Sequence, residues 1–339
     1  MISASTATHY QIIRLWSGMF SIGCHLTLVW VAFLLVLWMP ASLYVSIPWL
    51  MWLILILVGF NSFAFFFDRL VGYEVERLYH GTTQSLKEWR SDWWYGVLAS
   101  SITMLIGLSL WVLGRTFLPF GVVLAGALAC ATAVLIILPS WQARSCRLKG
   151  KKSVETEVLI LLQQWNVPVR QIHWYADGSL NTLNGMFLPF NKQTIWLTEA
   201  VARLSARNIA LLIRRESWFL RSGCNLVSIG IVLGWLALGL TAAWLMPAQT
   251  SLQQAVSLAA IMTTWCFAAL FVWPPLNSMA MTRADRSLRD IATTEEIAAL
   301  LRLLQETNAT DLALSEGKAQ VFHPIPPLEI RVNALEPKL

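Results

Sequence analysis

Charge is what this sequence has least of. Of its 339 residues, 13% are Asp, Glu, Lys or Arg, against 56% hydrophobic. Long stretches hold none: 15–67, 93–114, 116–143 and 222–282. A soluble domain rarely has such a composition, and a multi-span membrane protein does. Cysteine is also scarce. The five (Cys24, Cys130, Cys146, Cys224 and Cys266) are scattered without CxxC spacing, which argues against a disulfide framework and reads as reduced packing residues. Histidine is as sparse: five residues, with no pair four apart that could grip a metal from one helix face.

What is there is apolar length. A span needs about 20 apolar residues, so the first and last uncharged runs each hold two helices. Met39-Pro-Ala-Ser42 with Pro48, and Met246-Pro-Ala-Gln249, mark the breaks. Six spans are expected, at 16–38, 48–67, 94–114, 118–139, 224–246 and 253–274. Lys and Arg crowd one set of loops: Arg69, Arg77, Lys87 and Arg90; Arg144, Arg147, Lys149, Lys151 and Lys152; Arg214, Arg215 and Arg221; Arg283, Arg286 and Arg289. The three short opposite loops hold only Arg115. The positive-inside bias then puts both termini and the 140–221 segment in the cytoplasm, with the compact size suiting a bacterial inner membrane. The net charge of +6 expresses the same bias and does not argue for nucleic acid. The first span is too long for a cleavable signal and lacks a small-residue cleavage site.

Residues 1–140 read as a four-span region, two helical hairpins joined by a charged cytoplasmic loop, 68–92. Leu70, Val71, Val75 and Leu78 give that loop helical spacing and predict an extension of the second span. Residues 141–339 read as a second domain with a transmembrane hairpin, 224–274, inserted. In it the pattern predicts a helix over 154–165 and strands at 171–175 and 194–198, separated by turns at Asp177-Gly178 and Asn184-Gly185. Ser205 is the expected N-cap of a helix over 206–221. Further helices are expected at about 277–291 and at 294–306 with Thr294 as cap, followed by a proline-rich tail from His323.

Four landmarks in this half occur in a telling order. Asn184-Gly-Met-Phe is followed by Gln193-Thr-Ile-Trp-Leu-Thr-Glu-Ala-Val. Then come Ser205-Ala-Arg-Asn-Ile-Ala-Leu-Leu-Ile-Arg-Arg-Glu, Met281-Thr-Arg-Ala-Asp-Arg, and His323-Pro-Ile-Pro-Pro-Leu-Glu-Ile-Arg-Val. Over roughly 155–335 the chain resembles the M48 membrane metallopeptidases. The resemblance implies a mostly α, polytopic membrane protein with six transmembrane helices and a small cytoplasmic α+β, zincin-like domain. The family's HExxH maps onto Arg215-Glu-Ser-Trp-Phe219. The two histidines become Arg215 and Phe219, and the third ligand maps onto Met281. Glu216 and Asp285 survive as vestigial catalytic-type acids.

That substitution decides the expected chemistry. HExxH works because two imidazoles four apart bind zinc while the Glu serves as base for the bound water. A guanidinium does not deprotonate usefully and a phenyl ring has no donor. Without the metal, nothing brings the attacking water toward a neutral pKa. No cofactor is therefore expected, zinc included. Arg214 or Arg215 is expected to neutralise Glu216 and Asp285 in the former metal site. Arg214 and Arg215 are equally candidates for lipid head-group contacts or positive-inside anchors. His173, His25 and His323 read as structural histidines. His80, His173 and His323 form a rival zinc set whose spacing carries no metal signature.

The function implied is an integral membrane M48-like pseudoprotease that binds a protein partner, either a membrane protein or an unfolded segment, for regulation, scaffolding or assembly. In an active relative the substrate would add as a strand beside the edge at Asn184, Gly185, Met186 and Phe187. Such pairing needs backbone hydrogen bonds and no zinc. The alternative is an active M48-type metalloendopeptidase with a non-standard metal site. A transporter or lipid-handling role is weaker, since the spans show no inverted repeat and few intramembrane charges.

Overall fold

A computed structural model describes residues 4–40, 48–75, 77–78, 85–145, 153–175, 183–187, 193–307 and 326–335. In chain order the elements are α1 (Ala4–Trp38), α2 (Trp49–Asp68), a π-helical segment (Arg69–Val75), α3 (Leu86–Phe117), α4 (Phe120–Ser145) and α5 (Glu155–Gln164). They continue as β1 (Gln171–Tyr175), β2 (Gly185–Phe187), β3 (Thr194–Thr198), a 3₁₀ turn (Glu199–Arg203) and α6 (Ala206–Arg221). The remainder are α7 (Cys224–Leu245), α8 (Ser251–Arg286), α9 (Thr294–Thr307) and α10 (Leu328–Asn333). Six of these, α1 to α4, α7 and α8, are long and apolar enough to cross a membrane. The chain forms two compact units: residues 1–128 with 235–269, and residues 129–234 with 270–339.

The first unit is built from spans alone. Phe33, Leu53, Leu108, Trp111, Leu240, Leu252 and Val256 form its buried centre. Leu34, Leu55, Ile102, Ile106, Leu113 and Leu238 stay exposed, as side chains solvated by lipid should. Trp235 and Trp265 stack at 4.5 Å, and each indole N–H donates to the other's carbonyl, at 3.2 and 2.6 Å. Gly239 permits this: a Cβ there would stand 2.7 Å from the Trp265 ring. Arg115, alone among the charges of the opposite loops, donates to the carbonyls of Ala243 and Met246 and lies over the Trp244 ring. It thereby satisfies carbonyls that the end of α7 leaves free.

Helices reach further than hydropathy suggests. Much of the 68–92 loop is helical, because Ser85 and Glu88 form a reciprocal capping box that starts α3 at Leu86. The extension of α2 is π-helical, which changes the side-chain phase. Tyr73 and Val75 turn inward while Leu70 and Leu78 are exposed. The helix expected at about 277–291 is the end of α8, which runs unbroken through Pro274 and Pro275. Proline is tolerated in spanning helices where neighbours satisfy the freed carbonyls. The Asp177-Gly178 turn, His80, His323 and residues 146–152 lie outside the described residues.

The second unit holds the sheet, with strand order β1-β3-β2. β1 runs parallel to β3 in the register Gln171↔Thr194 to Tyr175↔Thr198. β2 runs antiparallel to β3, with Gly185 opposite Leu197 and Phe187 opposite Ile195. All five residues of β3 are buried, as a central strand requires. Asn184-Gly185, expected as a turn, is instead the entry to β2. Its glycine is needed for close approach, since a Cβ would fall 2.7 Å from the Leu197 side chain. α5 ends in a Schellman arrangement, with Val167 N–H on the Leu162 carbonyl and Asn166 at φ 55°. Ile172, Trp174, Ile195 and Leu197 pack with Leu162, Ile209, Leu212, Ile213, Leu288 and Leu300 in one core. Thr293, one residue before the expected cap, starts α9, because Glu296 reciprocates its hydrogen bond.

Candidate functional site

α6 positions the site. Ser205 caps it through its side chain on the Asn208 N–H, and the helix spans the expected 206–221. Its inward face is Ile209, Ala210, Leu212 and Ile213, and it continues without a break into Arg215, which is only 6% exposed. A buried charge requires partners, and Arg215 has three. Its Nε donates to Asp285 Oδ1 at 2.7 Å, Nη1 to Glu216 Oε1 at 2.7 Å, and Nη2 to the Met281 sulfur at 3.2 Å.

Asp285 is fully buried near the end of α8. It carries a second guanidinium: Arg331 of α10 donates from Nε to Oδ2 at 2.7 Å and from Nη2 to Oδ1 at 3.0 Å. Two buried arginines thus face two carboxylates, with no net charge, in a planar fork-to-carboxylate geometry that arginine favours. Burial opposes the charge on Arg215, but Asp285 and Glu216 outweigh it and hold the guanidinium above its ordinary pKa. Burial, with help from Asp285, pushes the Glu216 carboxyl above its ordinary value despite the Arg215 and Arg331 charges.

The structure brings Arg215, Glu216, Met281 and Asp285 together, all four named by the sequence. Arg331 was not among them. The sequence placed it only in the closing His-Pro…Arg-Val element, and the signal that points to it is charge balance: a fully buried Asp285 and a partly buried Glu216 call for two cations. Phe219, at the second histidine position, is half-buried, and its ring meets Trp218 edge-on at 5.5 Å. Arg214 stands apart from the cluster. Its Nε is buried without a hydrogen-bond partner among the described residues, and the charges it feels are Arg221 and Asp290.

The β2 edge adjoins the cluster. A Cβ on Gly185 would come within 3.9 Å of Glu216 Cγ. Asn184 is fixed by mutual bonds with Thr198 and accepts the Gly185 N–H on its own side chain. By the alternation of antiparallel pairing, the backbone groups of Gly185 and Phe187 point away from β3. Among the described residues β2 forms one edge of the sheet.

The donor set does not fit zinc. The positions where the resemblance places ligands hold a guanidinium kept charged by its neighbours, a phenyl ring, and a thioether already accepting from that guanidinium. What the arrangement can do is fix three elements, α6, α8 and α10, to one another through charge, beside a strand that among the described residues forms one edge of the sheet.

These elements define a multi-pass membrane protein, with six helices long and apolar enough to cross a membrane and a small α+β unit built on a three-stranded sheet. No protein-family model matches the chain, and no curated protein matches it. Among solved structures it is similar to the crystal structure of S. mikatae Ste24p, with a TM-score of 0.63 and 15% identity over 83% of this chain and 74% of that one. At that identity the likeness is one of fold.

Proposed function

We propose that this chain is an M48-like membrane pseudoprotease that works by binding a protein partner. The partner is a membrane protein or an unfolded segment, and the use is regulation, scaffolding or assembly within the membrane. The observation that carries the reading is the Arg215 side chain, hydrogen-bonded at once to Glu216, Asp285 and Met281, the residues that in the resemblance surround a metal. An arginine held there takes up the carboxylates that would otherwise serve a metal-bound water. The fold likeness supports the scaffold, and β2, an edge of the sheet among the described residues, offers Asn184 to Phe187 for strand addition. No cofactor enters this reading. The Lys and Arg distribution supports a bacterial plasma membrane with the termini and the second unit on the cytoplasmic side.

A photo-crosslinking residue at Phe187, with one at Ile160 on the exposed side of α5 as control, tests it in native membranes. The expected result is a discrete protein adduct from position 187 alone, unchanged by a chelator. Stoichiometric zinc in the purified protein, with peptide hydrolysis lost on chelation and on Glu216→Gln, would replace this reading with a working metalloendopeptidase that has a non-standard metal site.

A further inference from the structure

With Arg215 committed inward, α6 has a second set of cations on another face. Arg214, Trp218 and Arg221 follow one another at spacings of four and three residues, which places them in line on one side of a helix. Arg221 is exposed and Trp218 is half-exposed between the two arginines. Among the described residues, Arg221 Nη2 donates to the Asn166 carbonyl at the left-handed end of α5. Arg214 has a buried Nε with no partner among the described residues. Burial first, then the like charge of Arg221, lowers its pKa, with Asp290 the opposing charge. Arg214 is half-buried beside a like charge, so an anion set between the two guanidinium groups would be held by both.

The position of this face in the chain names the acceptor. Arg221 ends α6, Gly223 makes the turn at φ +71°, and the apolar span α7 begins at Cys224. The stripe therefore ends where the chain enters the bilayer, at the depth of the head groups. Tryptophan beside arginine is the pairing found at that depth. Phosphate esters accept from guanidinium forks in planar, charge-assisted geometry.

We propose that Arg214, Trp218 and Arg221 form a binding site for an anionic phospholipid. The phosphodiester lies between the two guanidinium groups, and the indole lies against the glycerol and upper acyl region. The site is independent of the buried cluster and of any partner at β2.

The test uses the full-length protein in nanodiscs containing phosphatidylcholine with a minor fraction of phosphatidylglycerol, read by native mass spectrometry of retained lipids. Wild type should retain one phosphatidylglycerol in preference to phosphatidylcholine by on the order of tenfold. Arg214→Gln with Arg221→Gln should abolish that preference. Arg207→Gln, at an exposed arginine paired with Glu296, should leave it intact. A thermal melt checks that the double variant folds. If it does not, the wild-type arms decide: equal retention of both lipids overturns the proposal. So does displacement of the bound lipid by millimolar inorganic phosphate, which would mark a free-anion site. A folded double variant with undiminished preference overturns it as well.

Discussion

At the scale of single residues, Asp285 dominates. It is fully buried and accepts three charged hydrogen bonds from two arginines. Removing one partner from a buried ion pair is far more costly than the pair is worth, because the remaining charge stays behind. Arg215→Ala should cost about 3–5 kcal/mol, since it strips a partner from Asp285 and Glu216 together. Thermal or denaturant melts of detergent-solubilised protein check this, and a loss under about 1 kcal/mol would show the cluster to be solvated. Glu216 gives a prediction in pH. Its folded carboxyl titrates above its ordinary value, with burial as the leading cause. The stability it contributes is fully present below its unfolded pKa and is lost as pH rises through the raised folded value. Glu216→Gln, which cannot titrate, should lose less stability than wild type over that rise. Parallel melting curves for the two proteins across the same pH range would exclude the shift.

At the scale of elements, the Trp235–Trp265 pair locks the hairpin of α7 and α8 within the first unit. Gly239→Val would drive a side chain into the Trp265 ring, where even a Cβ would sit at 2.7 Å. It should separate the two indoles and cost about 1–3 kcal/mol as an overpacking change. A shift in tryptophan emission together with a lowered melting temperature would report it; unchanged emission would mean the ring has room. Local signals explain which elements could be read in advance. Ser205 and the period of α6, and the alternation in β1 and β3, are written within a few residues of themselves. β2 is three residues long and begins with glycine, so it resembles a turn until β3 is beside it. α8 passes two prolines, which in sequence read as a helix break. Arg331 lies 46 residues beyond Asp285, and no local pattern links a cation to an acid at that distance.

At the scale of the whole molecule, six spans and their loop charges follow from composition, because lipid demands long uncharged helices. Side-chain ion pairs join α6, α8 and α10 of the second unit. Its stability should then be indifferent to chelators: excess EDTA should leave the melting temperature unchanged, whereas a drop of several degrees would reveal a stabilising ion. Arg331 has a further consequence for biosynthesis. The ribosome makes it long after the first two units of charge, Arg215 and Glu216, have emerged. Until α10 arrives, Asp285 has a single cation for its two oxygens. A nascent chain is therefore electrostatically unfinished until α10 has been made and its arginine has reached the acid laid down 46 residues earlier.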